Sequence, residues 1–233
     1  MNIGTVVEGP TDRLVLQAVL NRICPGEHRY FPLQPTETFG EMGTGWKGVR
    51  RWCRQTRQIP GSSLDKLLSG ETGPPLDLLV IHVDAGIAIE HDLQDEDETP
   101  IPDIQQPCPP IQLTANQLKH VIERWLQQDI LPPQVILAIP AQDTENWTFA
   151  ALFPDDELCS RNDYECTKND RDHPGYRLTL KKYGKVLQRN GRTIKKPRRN
   201  YEQIVPQLVT GWDSVCHICS QAQQFTQDVL GRL

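Results

Sequence analysis

Acidic residues follow three short apolar runs of this sequence. They are Glu8 and Asp12 after the first run, Asp84 at the end of the second, and Asp143 and Glu145 after the third. Carboxylate oxygens are hard ligands of the kind that Mg²⁺ and Mn²⁺ prefer. Two such ions about 4 Å apart can activate water and stabilise the leaving oxygen when a phosphodiester is cleaved. The acids therefore predict a metal site, provided that the fold brings them together.

The elements around these acids predict an α/β fold. Residues 3–7 form a β-favouring run that Gly9 and Pro10 end, and an apolar pattern at helical spacing follows. Residues 76–84 are almost continuously apolar, as in a parallel strand covered on both faces, and residues 134–140 form a second buried strand. Sites in open α/β sheets lie at the carboxyl ends of strands. We therefore expect a mostly parallel central sheet with helices on both faces and the acids at one edge.

Each acid also has a simpler explanation. Glu8 can be a solvated loop residue, and Asp12 can be a helix cap. Asp143 and Glu145 can cap a helix over residues 145–152 or interact with its dipole. The residue types and their spacing leave both interpretations open.

The segment VVEGPTD, followed by an apolar helix, resembles the first motif of Toprim domains. The similarity is greatest to the overcoming-lysogenization-defect (OLD) nucleases and related Toprim-like proteins. In these proteins a glutamate ends the first strand and a second acid follows four residues later, as Glu8 and Asp12 do here. Asp84 matches the first aspartate of the family's D-x-D motif. Glu145 matches a glutamate that precedes an aromatic-containing helix.

The resemblance implies a Toprim-like, Rossmann-like domain over residues 1–155. It also implies a metal-dependent phosphodiesterase or nuclease that acts on DNA or RNA, in a setting of phage defence. The implied cofactor is Mg²⁺ or Mn²⁺. Its implied ligands are Glu8, Asp12, Asp84 and Glu145, with Asp143 as an additional candidate. Glu8, Asp84 and Glu145 are implied catalytic residues, and Glu8 is a candidate general base.

One position departs from the family's pattern. Gly86 stands where the second aspartate of D-x-D is expected. Glu90 and Asp92 are candidate substitutes, although neither lies at the matching position. A catalytically degenerate Toprim-like protein is therefore the alternative, either binding nucleic acid or serving as a scaffold for an ATPase partner. The chain has no P-loop, so an ATP-driven step would need a separate polypeptide.

A basic stretch supplies the second feature that points to nucleic acid. The whole chain has a net charge of −5, so a nucleic-acid surface must be local. Residues 177–199 contain ten Lys and Arg and no Asp or Glu. Predicted phosphate contacts are Lys181, Lys182, Lys185, Lys195, Lys196, Arg198 and Arg199, together with Lys47 and Arg50 after a glycine-rich loop that includes Gly40, Gly43 and Gly45. The simpler explanation is a pair of solvated basic segments.

The OLD branch also uses a lysine after the last glutamate. Lys181, Lys182, Lys195 and Lys196 all remain candidates for this role, and Lys196 is the one that we place among the catalytic residues. It would stabilise the charge that develops on the phosphate.

The remaining sequence features set the domain organisation. We expect residues 156–233 to pack on the same domain, with a hairpin at QRNGRT and two closing helices over residues 201–209 and 212–230. The acidic, proline-rich loop of residues 90–112 is expected to be mobile. No apolar run reaches the roughly 18 residues of a membrane span and no leader is evident, so we expect a cytoplasmic protein without a membrane partner.

Seven scattered cysteines are expected to be thiols in that compartment. Cys216 and Cys219 have C-x-x-C spacing, but no second pair is evident for a zinc site. The sequence is compatible with an oligomer and does not define one.

Overall fold

The computed structural model describes residues 1–35, 43–58, 63–167, 171–191 and 193–233. Its central sheet has four strands in the order β2-β1-β3-β4, and every neighbouring pair is parallel. The strands are β1 (Asn2–Val6), β2 (Arg29–Gln34), β3 (Leu78–His82) and β4 (Val135–Ala138), and a separate antiparallel hairpin consists of β5 (Gln188–Asn190) and β6 (Thr193–Lys195). The parallel sheet and the hairpin confirm the predictions made from the sequence.

Helices cover both faces of the sheet. They are α1 (Pro10–Ile23), α2 (Gly45–Gln58), α3 (Leu64–Ser69), α4 (Gln112–Leu126), α5 (Glu145–Leu152), α6 (Pro174–Arg177), α7 (Arg198–Ile218) and α8 (Ser220–Leu230). Successive side chains of a strand point to opposite faces of the sheet. Val80 lies on the face that shares a hydrophobic core with α1, α5, α7 and α8. Leu79 lies on the other face, in a core shared with α2, α3 and α4. This two-sided burial explains why the strand sequences are continuously apolar.

The two closing helices differ from those predicted. We expected a division near Pro206 and Gly211, but α7 continues through both residues and ends at Ile218. Burial of Leu208 and Trp212 in the core favours the continuous helix. Gly211 permits close packing of α7 against α5, because a Cβ atom at this residue would lie 2.6 Å from the carbonyl oxygen of Ala151.

The acidic loop is anchored, whereas we expected it to be mobile. Leu93 is fully buried, and its carbonyl oxygen accepts a hydrogen bond from the Ile101 N–H at 2.8 Å. The indole N–H of Trp125 donates to the carbonyl oxygen of Gln94 at 2.8 Å. These contacts fix the loop against α4.

The prediction that all seven cysteines are thiols is wrong for two of them. Cys108 in the acidic loop and Cys166 form a disulfide with a Cα–Cα distance of 5.6 Å, which is within the usual range. The two residues are 58 positions apart, so only the tertiary fold brings them together. Cys216 and Cys219 remain free, and Cys219 is buried behind α7. Among the described residues, no helix is both long enough and apolar enough to cross a membrane.

We predict that Gly211→Ala destabilises the protein. Overpacking against the Ala151 carbonyl costs about 1–3 kcal/mol, and the better helix propensity of alanine, about 1 kcal/mol, offsets only part of this. The net loss of unfolding free energy should be about 1 kcal/mol or more by urea denaturation. Gly73→Ala is the control, because a Cβ atom there meets nothing within 4 Å. Equal stability of the two variants would contradict the close contact between α5 and α7.

Candidate active site

The acids that follow β1, β3 and β4 lie at one edge of the sheet. These three strands are neighbours and run in the same direction, so their carboxyl ends lie side by side. Glu8 and Asp84 are directly linked, because a carboxylate oxygen of Glu8 accepts the backbone N–H of Asp84 at 2.8 Å. Asp12 begins α1 and is 4% exposed, so its carboxylate points into the protein.

Lys196 joins the acids of two separate strand ends. Its Nζ atom lies 2.8 Å from Glu145 Oε2 and 3.8 Å from Asp12 Oδ1. The Thr144 hydroxyl donates to Asp12 Oδ1 at 2.7 Å, which ties the start of α1 to the turn before α5. Of the four candidate lysines, Lys196 is therefore the one for which the structure shows contacts with the predicted acids.

Tyr201 is a site residue that the sequence did not indicate. It is fully buried in the first turn of α7, and its hydroxyl donates to Glu145 Oε1. Lys196 precedes α7 by two residues. The connection between β6 and α7 therefore places both the Lys196 ammonium and the Tyr201 hydroxyl beside Glu145. A tyrosine near the start of a helix has many structural roles, and nothing in the local sequence marks this one.

Asp143 has two contacts around the same turn. Its Oδ1 atom accepts the Glu145 N–H at 3.1 Å, as predicted for a residue that caps a helix. Its Oδ2 atom lies 3.5 Å from His173 Nε2. The Nδ1 atom of His173 accepts the Gly175 N–H at 3.1 Å, so the neutral ring carries its proton on Nε2, which faces Asp143. His173 was not among the residues that the sequence pointed to.

His82 lies beneath the site at the end of β3. It is fully buried, and its Nε2 atom is 3.2 Å from Asp84 Oδ1. Burial alone lowers the pKa of the imidazole, but the close contact with Asp84 and its negative charge outweigh burial and raise the pKa to about 9. His82 is a polar residue in an otherwise apolar strand, and this feature of the sequence could have identified it as a candidate site residue.

The pKa values of the buried carboxyl groups shift in different directions. Burial, followed by the charge of Asp84, raises the pKa of Glu8 to about 8. Burial also raises the pKa values of Asp12 and Asp143. Burial acts in the same direction on Glu145, but Lys196 and the Tyr201 hydroxyl outweigh it and lower the pKa of that carboxyl. Additional positive charge would therefore favour the ionised forms of the other acids.

The backbone leaves no room for a second aspartate at Gly86. The Gly86 N–H donates to the carbonyl oxygen of Gln142 at 3.0 Å, and a Cβ atom at residue 86 would lie 2.9 Å from that oxygen. The proposed substitutes are also turned elsewhere, since Asp92 pairs with Lys47 and Glu90 is exposed. The departure from D-x-D is thus part of the local packing between the ends of β3 and β4.

Hard oxygen ligands are present, but internal donors already engage several of them. In the part of the chain that the structure describes, no three His, Cys, Asp or Glu side chains are grouped to hold a metal ion. Glu145 faces Tyr201 and Lys196, and Asp12 faces Thr144 and Lys196. One oxygen of Asp84, Oδ1, is buried without a hydrogen-bond partner. Carboxylate oxygens are donors that fit Mg²⁺ or Mn²⁺. In this structure Lys196 and Tyr201 occupy positions next to the Glu145 carboxylate that a metal ion would need.

Two predicted nucleic-acid contacts are engaged by the acidic loop. Lys47 pairs with Asp92, and the Arg50 guanidinium donates twice to the carbonyl oxygen of Asp95, at 2.7 and 3.1 Å. The neighbouring glycine-rich loop does approach the site, since the Gly45 N–H donates to the backbone oxygen of Glu8 at 2.8 Å. Residue 40 of that loop lies outside the described residues. The basic face of α2 is therefore covered in this conformation.

The basic stretch near α7 is more open. Five of its cations are exposed and have no ion pair with any other described residue: Lys181, Lys185, Arg189, Lys195 and Arg199. Lys182 lies 3.9 Å from Asp156, and Arg198 pairs with Glu202 at 2.9 Å. Residue 192, also part of the stretch, is outside the described ranges. Lys195 and Arg199 belong to the hairpin and the helix start that flank Lys196, whereas Lys181 and Lys185 precede the hairpin.

Comparisons of this chain with protein-family models, with curated proteins and with solved structures each found no match.

We predict that Glu8→Gln makes stability less dependent on pH in the presence of EDTA. The pKa of Glu8 is raised from 4.5 to about 8 in the folded protein. The stability that its proton contributes is therefore complete below about pH 4.5 and is lost as the pH rises through 8. Urea midpoints at pH 5, 6.5 and 8 should fall less steeply for Glu8→Gln than for the wild type.

Glu157→Gln is the control for this measurement, because its side chain is 85% exposed. It should follow the wild-type pH dependence. An equally steep decline in Glu8→Gln would show that Glu8 is not a buried titrating acid.

Proposed function

We propose that the protein is a divalent-cation-dependent phosphodiesterase that cleaves nucleic acid at a Toprim-like site. The observation that carries this proposal is that acids from three strand ends lie at one edge of the sheet, where a half-buried lysine pairs with two of them. Glu8 contacts the backbone of Asp84, and Lys196 pairs with both Asp12 and Glu145. This combination of hard ligands and one cation suits a reaction in which negative charge develops on phosphate.

Mg²⁺ or Mn²⁺ would be held by Glu8, Asp12, Asp84, Asp143 and Glu145. When bound, the ion would supply an activated water molecule and positive charge for the leaving oxygen. The chain's own groups then have separate tasks. Glu8 would accept a proton once positive charge at the site favours its ionised form. His82 orients the Asp84 carboxylate, and Lys196 supplies positive charge opposite the developing phosphate charge.

The substrate's backbone would follow the exposed cations beside the site. Lys181, Lys185, Lys195 and Arg199 are exposed in a chain whose net charge is −5, so they supply a local positive surface for phosphate. Phosphate contacts of this kind position nucleic acid without reading its sequence. They support either DNA or RNA as the substrate.

A catalytically degenerate scaffold that binds nucleic acid or an ATPase is the second candidate. The specific observation that favours it is the packing of Gly86, which excludes the second acid of D-x-D. The resemblance to OLD-type proteins, rather than any contact in the structure, is what supports an ATPase partner and a role in phage defence.

Cleavage assays distinguish the two candidates. With plasmid DNA and structured RNA in Mg²⁺ or Mn²⁺, we expect cleavage that EDTA abolishes. Glu145→Gln should reduce it by about 100-fold, because loss of a group that binds or orients a metal typically costs about 10- to 100-fold. Glu157→Gln should retain wild-type activity. Metal-dependent cleavage that is unchanged in Glu145→Gln would contradict the assignment of this site.

Binding assays test the proposed phosphate surface. The Lys195→Gln/Arg199→Gln variant should bind nucleic acid about tenfold more weakly, and its log–log salt slope should fall by about 2, since each lost phosphate contact removes about 0.9. The Lys47→Gln/Arg54→Gln variant removes the same charge from the side of α2 that pairs with the acidic loop. It should bind nearly as the wild type does. Weaker nucleic-acid binding by Lys47→Gln/Arg54→Gln than by Lys195→Gln/Arg199→Gln would indicate that the substrate binds to α2 instead.

A further inference from the structure

We propose that Lys196 is a built-in cation that closes the site, and that a divalent ion enters only when the Lys196 ammonium leaves the carboxylates of Asp12 and Glu145. This inference rests on the proposed function, because it concerns how the same acids acquire their metal. In this proposal the divalent ion replaces the Lys196 ammonium, instead of binding to a site that is already empty.

The first argument is the burial of Glu145. Its side chain is 1% exposed, and an isolated ionised carboxylate at that depth is strongly unfavourable. The Tyr201 hydroxyl donates to Oε1, and the Lys196 ammonium lies 2.8 Å from Oε2 as an ion pair without hydrogen-bond geometry. The protein can therefore fold with this acid ionised before any metal is bound.

The second argument is that the ammonium and a divalent ion need the same oxygens. Lys196 lies 2.8 Å from Glu145 and 3.8 Å from Asp12, so its charge sits between acids from the ends of β1 and β4. A divalent ion that bridged these two carboxylates would be close to the ammonium, and the two like charges would repel each other strongly at low local dielectric.

The third argument is that Lys196 can move without disturbing the core. It directly follows β6, one strand of a hairpin whose pairing covers three residues on each side. Five of the six paired residues are exposed, with Ile194 partly buried. Two-stranded hairpins of this size are only marginally stable alone. The side chain is also a flexible four-carbon stem that is 31% exposed.

Mn²⁺ binding tests the exchange directly. Free Mn²⁺ measured by electron paramagnetic resonance should show that Lys196→Met binds the ion at least about tenfold more tightly than the wild type. Lys195→Met removes the same charge from an exposed neighbouring residue. Its affinity should be within about twofold of the wild type.

The outcomes separate this inference from the nuclease proposal. Wild-type binding combined with equal or weaker binding by Lys196→Met would overturn the exchange and leave the nuclease proposal intact. Absence of Mn²⁺ binding at millimolar concentration in both proteins would overturn both proposals.

A second measurement uses the wild type, so it does not depend on the folding of a variant. Lysine acetylation by acetic anhydride, followed by mass spectrometry, reports the accessibility of each ammonium. Mg²⁺ should raise the labelling rate of Lys196 at least severalfold and leave that of exposed Lys181 unchanged. A rate for Lys196 that stays constant or falls on adding Mg²⁺ would contradict the exchange.

Discussion

Burial of acids at the carboxyl edge of a parallel sheet is the constraint on which this structure depends. Asp12 and Glu145 are 4% and 1% exposed, and like charges at such depth destabilise a fold unless cations or protons neutralise them. The protein meets this constraint with Lys196 beside Asp12 and Glu145 and with His82 beside Asp84. Burial raises the pKa of Glu8, which favours its neutral form.

The same constraint explains why the C-terminal segment is needed at the site. The sheet and its first helices supply the acids, whereas the hairpin and the start of α7 supply Lys196 and Tyr201. Packing of α7 against α1 and α5 fixes that junction, and the close approach at Gly211 is part of this packing. The start of α7 is therefore positioned both by core packing and by the ion pair and hydrogen bond to Glu145. The site consequently contains residues from both halves of the chain.

The sequence predicted β1, β3 and β4 because each is a short run of apolar or β-favouring residues, and the acids that follow these runs were therefore expected at one edge. It could not predict Tyr201, the disulfide of Cys108 or the choice among four lysines, because these depend on contacts between distant segments. Pro206 shows the limit of local rules, since buried neighbours keep α7 continuous through it. His82 was visible as a polar residue in an apolar strand and could have been assigned.

The most direct test of the central claim is anomalous diffraction from crystals of the wild-type protein grown with Mn²⁺. The account predicts a manganese peak at the carboxyl edge of the sheet, in contact with carboxylates among Glu8, Asp12, Asp84, Asp143 and Glu145. It also predicts a distance between Lys196 Nζ and Glu145 Oε2 longer than the 2.8 Å seen here. No peak at this edge, with Lys196 still paired to Glu145, would contradict it.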